Sequence, residues 1–520
     1  MRKKNHSTPL KCEPHLSPEV NELNSYMFFF KKLFYFLYSF IWNSPVSHIL
    51  PTVKLSFHSH LLQKKIYDSL ISFKVFLITF IYPLLHDQSV ALALKKQAQM
   101  SSSSPALKPD VALSLTLSPS PTKPARIEAI NKSEERGLRL IQLLLKCANH
   151  TSSGNLHRAD ACLRHISPLA SVTGDSMQRL AAQFAYALAS RLVKRWPGLY
   201  KALTNRSLQL SNHEMDPSWA LFSQAFPYLR FVHAIIAQTL VRAMSAERVI
   251  HVVDLGTGDP NFWVPLIQSF SLMAQTRGPP QLKITCVNSN KVLLEKLGLR
   301  LVKEAEGLDI PFQFNPVNVS LKELTIDMLK VRSGEALAFV SILNLHVLLA
   351  EDDRVDAHFG PNKGNKVKDC KQMGQFLAMV RSMSPKLFFL VEQEADHNSD
   401  RLVDRFVEGL HYYSAMFDSL DVNCVSLSCE GRLGIEEMFG REIVDIVACE
   451  GLEREERHER YARWIVRFVG AGFKPAHMWC DAKQIIEAYG KDGYKIMNDK
   501  SSLMICWHER PLYAVSAWIS

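Results

Sequence analysis

The sequence predicts an α/β fold, a doubly wound parallel sheet entered through a block of helices. Three observations carry that prediction. The stretch "RVIHVVDLGTGDPNFW" (248–263) holds an apolar run at 249–253, two glycines in the turn behind it, and the start of a helix. A short apolar run closed by turn residues is how a buried parallel strand reads. Further runs of this kind alternate with helical stretches down to residue 394, as βαβ units do. Between about 133 and 230 the apolar spacing is helical. Together these describe a Rossmann/methyltransferase-like core, about 245–520, with an N-terminal helical cap, about 133–230.

The first 125 residues fit neither part. "YMFFFKKLFYFLYSFIW" (26–42) and "SLISFKVFLITFIYPLL" (69–85) are apolar but broken by Lys31, Lys32, Lys74 and Pro83. A spanning helix needs about 20 apolar residues with few charges. No membrane association is expected. The two runs show no periodicity and no caps, whereas Met100 is followed by "SSSSPALKPD", a polar start. Residues 1–125 are read as disordered or mis-assigned. In that reading 1–99 lie outside the functional product, and the Ser- and Pro-rich 101–125 form a flexible tail. Peptide mapping of the natural protein decides the point.

From residue 133 the pattern is regular. "SEERGLRLIQLLLKCANHTSSGNLHRADACLRHISPLA" predicts two helices, with Ser133 as an N-terminal cap and the SSGN turn (152–155) between them. Leu140, Leu143, Leu144 and Cys147 share a face. Leu140 to Leu144 also fits LxxLL, which docks a leucine face into a partner's groove. Leucine-rich helices match that motif by chance, so core is the favoured assignment. A third helix carries Met177, Leu180, Phe184, Leu188 and Leu192 on one stripe and ends at Pro197. Within the core, Pro265 is expected in the first turn of its helix. Strands are expected in "LKITCVN" (282–288), "IPFQFNPV", "ALAFVSILNLHVLL" (336–349) and "KLFFLVEQE" (386–394), and a β-hairpin with an extended tail at the end. The run "EREERHER" (453–460) reads as a solvated helix face with i,i+4 ion pairs. Trp464, Trp507 and Trp518 read as packing anchors.

Net charge is +10, but residues 1–125 hold 14 Lys/Arg against 6 Asp/Glu, and the remainder 47 against 45. The folded part is nearly neutral and shows no dense basic run. That disfavours a direct grip on DNA phosphates. Ten cysteines include no CxxC pair and no Cys/His cluster at zinc-finger spacing. Reduced core thiols are expected, and no metal site.

Asp254-Leu-Gly-Thr-Gly resembles a methyltransferase first motif, where S-adenosylmethionine approaches the backbone at the switch point of the sheet. Asp254, Gly256, Gly258 and Asn288 are the cleft candidates. Two features count against a cofactor. Pro260 stands where a further glycine belongs, and the next strand ends in Val287–Asn288–Ser289–Asn290 without a carboxylate for the ribose. Asp254 serves equally as a cap of the glycine turn. His251 is expected to point into the sheet or its helices, and His346 is a strand-end structural residue or a base. No catalytic residue and no cofactor is assigned.

The resemblance to a known family comes from ordered motifs. "VIHVVD" resembles the VHIID motif of the GRAS family of plant transcriptional regulators. "LIQLLLKCA" resembles that family's first leucine-rich helix, and "VLLEKLGLRL" its second. "FLVEQEADHNS" and "FVEGLHYYSAMFDSL" resemble its PFYRE region. "REIVDIVACEGLEREERHERYARW" leads into a SAW region, with Trp464 and Gly472 at W-x7-G spacing and Trp507 and Trp518 at W-x10-W spacing. The match runs over about 133–518 and is nearest to the scarecrow-like three subgroup. In one departure, Phe262 precedes Trp263 where the family commonly has Gln. The resemblance implies a nuclear co-regulator in gibberellin signalling and root development. It would bind DNA only indirectly, through DELLA proteins and indeterminate-domain zinc-finger proteins, with homo- or heterodimers through the cap. Its motif residues would be Leu140, Leu143, Leu144, His251, Asp254, Arg457, Trp507, Ser516, Ala517 and Trp518, with Arg454, Arg457 and Glu459 fixing the architecture. An S-adenosylmethionine-dependent methyltransferase is the alternative.

Overall fold

The apolar runs do become strands. The computed structural model describes residues 123–204, 217–256, 258–272, 278–350, 370–423, 428–490 and 492–520. Parallel strands β1 (Val249–Asp254), β2 (Gln281–Val287), β3 (Phe312–Val317), β4 (Ala336–Ile342) and β5 (Leu387–Gln393) are joined by antiparallel β6 (Lys474–Ala476), β7 (Tyr494–Asp499), β8 (Ser502–Trp507) and β9 (Arg510–Ile519). The order is β3-β2-β1-β4-β5-β9-β8-β7, with β6 also on β9. Chain travel reverses between β1 and β4, so a crevice opens at the C-terminal ends of those strands. The tail expected after the terminal hairpin is β9 itself, inserted between β5 and β8.

Strand alternation splits the interior into two cores. Ile250, Val252, Val340, Phe389 and Val391 face one side, where most of the helices lie. Val253, Phe339, Phe388 and Leu390 face the other, against Trp464, Phe468 and Trp518. Both faces of a parallel sheet are covered in this way because its strands are apolar on both sides.

Among the described residues, six helices precede β1: α1 (Lys123–Ser152), α2 (Leu156–Ile166), α3 (Ser176–Val193), α4 (Pro197–Thr204), α5 (Pro217–Ala225) and α6 (Pro227–Ala243). Eight follow: α7 (Pro260–Leu272), α8 (Lys291–Gly307), α9 (Ile326–Leu329), α10 (Lys371–Ser382), α11 (Leu402–Asn423), α12 (Cys429–Ala448), α13 (Tyr461–Gly470) and α14 (Ala482–Tyr489). Several differ from expectation. Ser133 lies inside α1 and caps nothing; its Oγ donates to Asp175 Oδ2 at 3.0 Å. Asp175 and Gln178 instead form the capping box of α3. Pro197 does not end α3, which stops at Val193; it opens α4, a position where its missing N–H costs nothing. Pro265 stands in the second turn of α7, beyond the first turn expected for it.

The cap is not N-terminal alone. α3 packs on α11 and α12, which come after β5. Phe184 meets Phe406 edge-on at 5.2 Å, and buried Arg179 Nε lies 2.7 Å from buried Glu436 Oε1. Within the LxxLL match, Leu140 and Leu144 are fully buried and Leu143 is half-buried. Residues 126–520 form one compact unit. Among the described residues no helix is long and apolar enough to cross a membrane; the runs at 26–42 and 69–85 lie outside them.

The α1 leucines are therefore expected to act on stability. Leu144→Ala should cost about 2–5 kcal/mol, a large-to-small change in a closed core, while Leu143→Ala should cost clearly less. Urea midpoints of the full chain check this; an unchanged midpoint for Leu144→Ala removes α1 from the core.

Candidate functional site

The crevice at the end of β1 encloses about 380 Å³ and is bordered by Ser223, Asp259, Asn261, Asn288, Asn344 and Met438, among others. Its floor is the glycine turn. Gly256 (φ 113°) and Gly258 (φ 55°) hold a left-handed backbone that L side chains adopt rarely. Thr257 lies outside the described residues. Asp254, fully buried, closes the turn: Oδ2 accepts from Gly258 N at 3.0 Å and from Trp263 Nε1 at 2.8 Å. Cys286 Sγ donates to the same oxygen at 3.6 Å, and burial pushes that thiol well up, so it stays protonated. Asn288 Nδ2 donates to Gly256 O at 2.9 Å, and Asn344 Nδ2 to Leu255 O at 2.7 Å.

The space beside each glycine is already filled. A Cβ on Gly256 would lie 2.1 Å from Asn344 Nδ2, and one on Gly258 would lie 2.5 Å from Leu293 Cδ2. In a cofactor turn the bare glycine faces the ligand. Here the chain's own side chains take that place. The four cleft candidates are thus brought together, but as a self-bonded turn.

His251 is fully buried on β1. Nδ1 pairs with Glu335 Oε2 and Nε2 with Thr285 Oγ1, each at 2.8 Å. Burial, helped by nearby Lys283, lowers its pKa to about 4. The ring is neutral, and Lys283 Nζ, 3.3 Å from Glu335 Oε1, supplies the charge that Glu335 needs.

A second polar cluster went unseen in the sequence. His346 lies on the 3-10 turn after β4 (Leu345–Leu349), and its Nδ1 is 2.8 Å from Glu392 Oε2. Glu392 Oε1 also accepts from Leu345 N and His346 N. His346 Nε2 and His458 Nε2 approach Glu456 Oε2 at 3.2 and 3.1 Å, and His397 Nδ1 meets His458 Nδ1 at 3.0 Å. Although burial opposes it, the two carboxylates beside His346 hold its pKa well above the usual imidazole range. His346 is thus a strand-end residue inside a network. The signal was available in the paired His and Glu at the ends of β4 and β5.

The run 453–460 is the clearest correction. It is not a solvated helix: residues 454–460 are irregular, and Arg454, Arg457, His458 and Glu459 are buried. Their polar groups are met mostly by backbone carbonyls and by side chains outside the run, and the i,i+4 contact made, Arg454 to Glu450 at 4.0 Å, reaches back out of it. Arg454 donates to His397 O and Ser399 O, Arg457 to Gly451 O and Asn398 Oδ1, and Glu459 takes a two-pronged bond from Arg467 at 2.7 and 2.8 Å. Arg457, Trp507, Ser516, Ala517 and Trp518 are all buried, as are His251, Asp254, Leu140 and Leu144. Their side chains are packed inside the chain, as the packing-anchor reading of the tryptophans and the core reading of the leucines expect. Trp507 Nε1 donates to Asp418 Oδ2, Ser516 Oγ to Leu390 O, and Trp518 stacks on Phe468 at 4.7 Å.

These features, a doubly wound sheet with a terminal antiparallel unit, a glycine turn braced by the chain's own side chains and a composite helical cap, define a Rossmann-like scaffold of the methyltransferase architecture. The GRAS domain family model matches residues 140–519. Scarecrow-like protein 3 of Arabidopsis thaliana is 38% identical over 436 residues, 74% of this chain and 90% of that protein. The DELLA protein RGL1 of the same plant is 34% identical over 393 residues, 74% and 71% of the two chains. The crystal structure of SCL7 from Oryza sativa is 28% identical with a TM-score of 0.59, covering 73% of this chain and 99% of that one. The chain belongs to the GRAS domain family, the plant transcriptional regulators of gibberellin signalling and development.

Two outcomes follow from the turn and the strand beside it. Gly256→Ala should destabilise by a few kcal/mol, because φ and Asn344 both oppose a Cβ; denaturant midpoints read it, and a neutral result means the turn is not braced as described. His251 has a folded pKa near 4 against 6.5 for the ordinary group. Its contribution is complete above about pH 6.5 and is lost as pH falls toward 4, since the unfolded chain takes the proton first. Between about pH 7 and 5 the wild type should lose about 1–2 kcal/mol more than His251→Asn. Equal slopes would assign the acid sensitivity elsewhere.

Proposed function

We propose that this protein is a nuclear co-regulator that acts by holding other regulators, DELLA proteins and indeterminate-domain zinc-finger proteins among them, in gibberellin signalling and root development. It does not catalyse methyl transfer and does not read DNA by itself. The observation that carries this is the closed glycine turn. Asp254 is consumed by Gly258 and Trp263, and Asn344 and Leu293 cover the two glycines. The near balance of charge after residue 125, 47 Lys/Arg against 45 Asp/Glu, supports contact with proteins rather than phosphates.

The contact is placed on the cap, away from the buried leucines of α1. Tyr186 on α3, Trp196 just after it and Leu199 on α4 are each at least half exposed. Trp and Tyr are among the residues enriched at the energetic centres of protein interfaces. The same face is available to a second copy of the chain. Trp196→Ala combined with Leu199→Asp should cut capture of a DELLA or zinc-finger partner at least tenfold with an unchanged melt; undiminished capture moves the contact elsewhere. In the same preparation, calorimetric titration of the full chain with S-adenosylmethionine should be flat. Micromolar binding that S-adenosylhomocysteine competes away would reopen the methyltransferase alternative.

A further inference from the structure

We propose that His346, Glu456 and His458 form a site for one divalent transition-metal ion of the zinc class. The three residues reach one point from two segments. His346 leaves the turn after β4, and Glu456 and His458 come from the irregular stretch before α13. His346 Nε2, His458 Nε2 and Glu456 Oε2 lie within 4.8 Å of one another. The two nitrogens stand 3.2 and 3.1 Å from the shared oxygen. Atoms bound to a single zinc-like ion at about 2.0–2.2 Å are themselves spaced by about 3.0–3.5 Å.

The orientation of the rings separates this arrangement from an ordinary hydrogen-bonded cluster. His458 is fully buried, and its Nε2 makes no aligned hydrogen bond despite its nearness to Glu456 Oε2. A buried ring nitrogen left without an aligned hydrogen bond is available as a ligand. The outer nitrogens are held as those of metal-binding histidines are. His346 Nδ1 rests on the Glu392 carboxylate at 2.8 Å, and His458 Nδ1 on His397 Nδ1 at 3.0 Å. Such partners fix the tautomer that leaves Nε2 free to ligate. The Glu456 carboxylate as ligand and the Glu392 carboxylate behind His346 place negative charge where a divalent ion would sit. Two imidazoles and a carboxylate select zinc and its neighbours over magnesium or calcium. The Glu456 side chain is one-quarter exposed, which leaves an approach for the ion and a water as fourth ligand. Bound there, the ion would clamp the exit of β4 to the segment carrying Arg454, Arg457 and Glu459.

The test uses the full chain, stripped with a chelator and dialysed, then titrated with Zn²⁺ by calorimetry and with Co²⁺ by visible absorption. One equivalent should bind with micromolar or tighter Kd, and Co²⁺ should show d–d bands without a thiolate charge-transfer band. Glu456→Gln and His458→Gln, each checked for a cooperative melt, should weaken uptake at least tenfold. No saturable uptake by the folded chain overturns the proposal and leaves a proton as the occupant of the cluster. Uptake unchanged in both variants, or a thiolate signature, also overturns it. Should neither variant fold, zinc-edge absorption on the wild type decides: a nitrogen/oxygen shell with two imidazoles supports the site, and sulfur refutes it.

Discussion

Everything at the mouth of the sheet depends on one carboxylate, Asp254. It is fully buried at the end of β1, where an ionised group without partners would cost several kcal/mol. Its Oδ2 is satisfied only if the chain turns back so that the Gly258 N–H reaches it and α7 starts where the Trp263 indole reaches it too. That single oxygen therefore sets the turn, the first residues of α7 and the position of Trp263 between α7 and the sheet. Asn288 and Asn344 then brace the same turn from the ends of β2 and β4. In an enzyme of this architecture the corresponding donors and glycine faces are left for a cofactor. Here they are spent on the chain, which turns an open binding turn into a joint.

A second constraint holds the helices of the cap to one another and α13 to the segment before it. Arg179 on α3 reaches Asp421 and Glu436; Arg405 on α11 reaches Glu450 and Ile446 O; Arg467 on α13 reaches Glu459. Arg179, Arg405, Glu436 and Glu459 are buried. Buried ion pairs contribute little net stability against apolar residues of equal volume, but breaking one partner costs about 3–5 kcal/mol. Their effect is thus on geometry. Only one docking of α3 on α12 brings Arg179 to Glu436, whereas leucine against leucine would tolerate several.

The sequence showed the elements whose residues interact locally and hid those whose partners are remote. The inner parallel strands were legible because most of their residues are apolar on both faces, the edge strand β3 because Phe312 and Phe314 share one face, and the glycine turn because φ above zero needs glycine. The candidates Asp254, Gly256, Gly258 and Asn288 do meet at one place. What they do there was not legible, since it depends on Asn344 and Leu293, far along the chain. The part of α11 and α12 in the cap was hidden for the same reason: both read as helices, but nothing local says that they face α3. "EREERHER" misled because charge normally marks a solvated face, and the groups that meet it, the Asn398 amide oxygen, the Gly451 carbonyl and the Arg467 guanidinium, lie outside the run. Ser133 misled because Asp175, forty-two residues on, is the group it serves.

That composite cap bears on how such a protein recognises others. A short linear motif such as LxxLL would bind as an isolated helix face, and its leucines would have to be free. Here Leu140 and Leu144 are inside, and exposed Tyr186 sits on α3, which α11 and α12 support from after β5. A partner surface built this way exists only when the sheet, the sealed turn and the buried charges are all in place. In the proposed reading the fold is part of the recognition element, which gives a physical reason for so large a Rossmann-like core around a glycine turn that the chain itself braces.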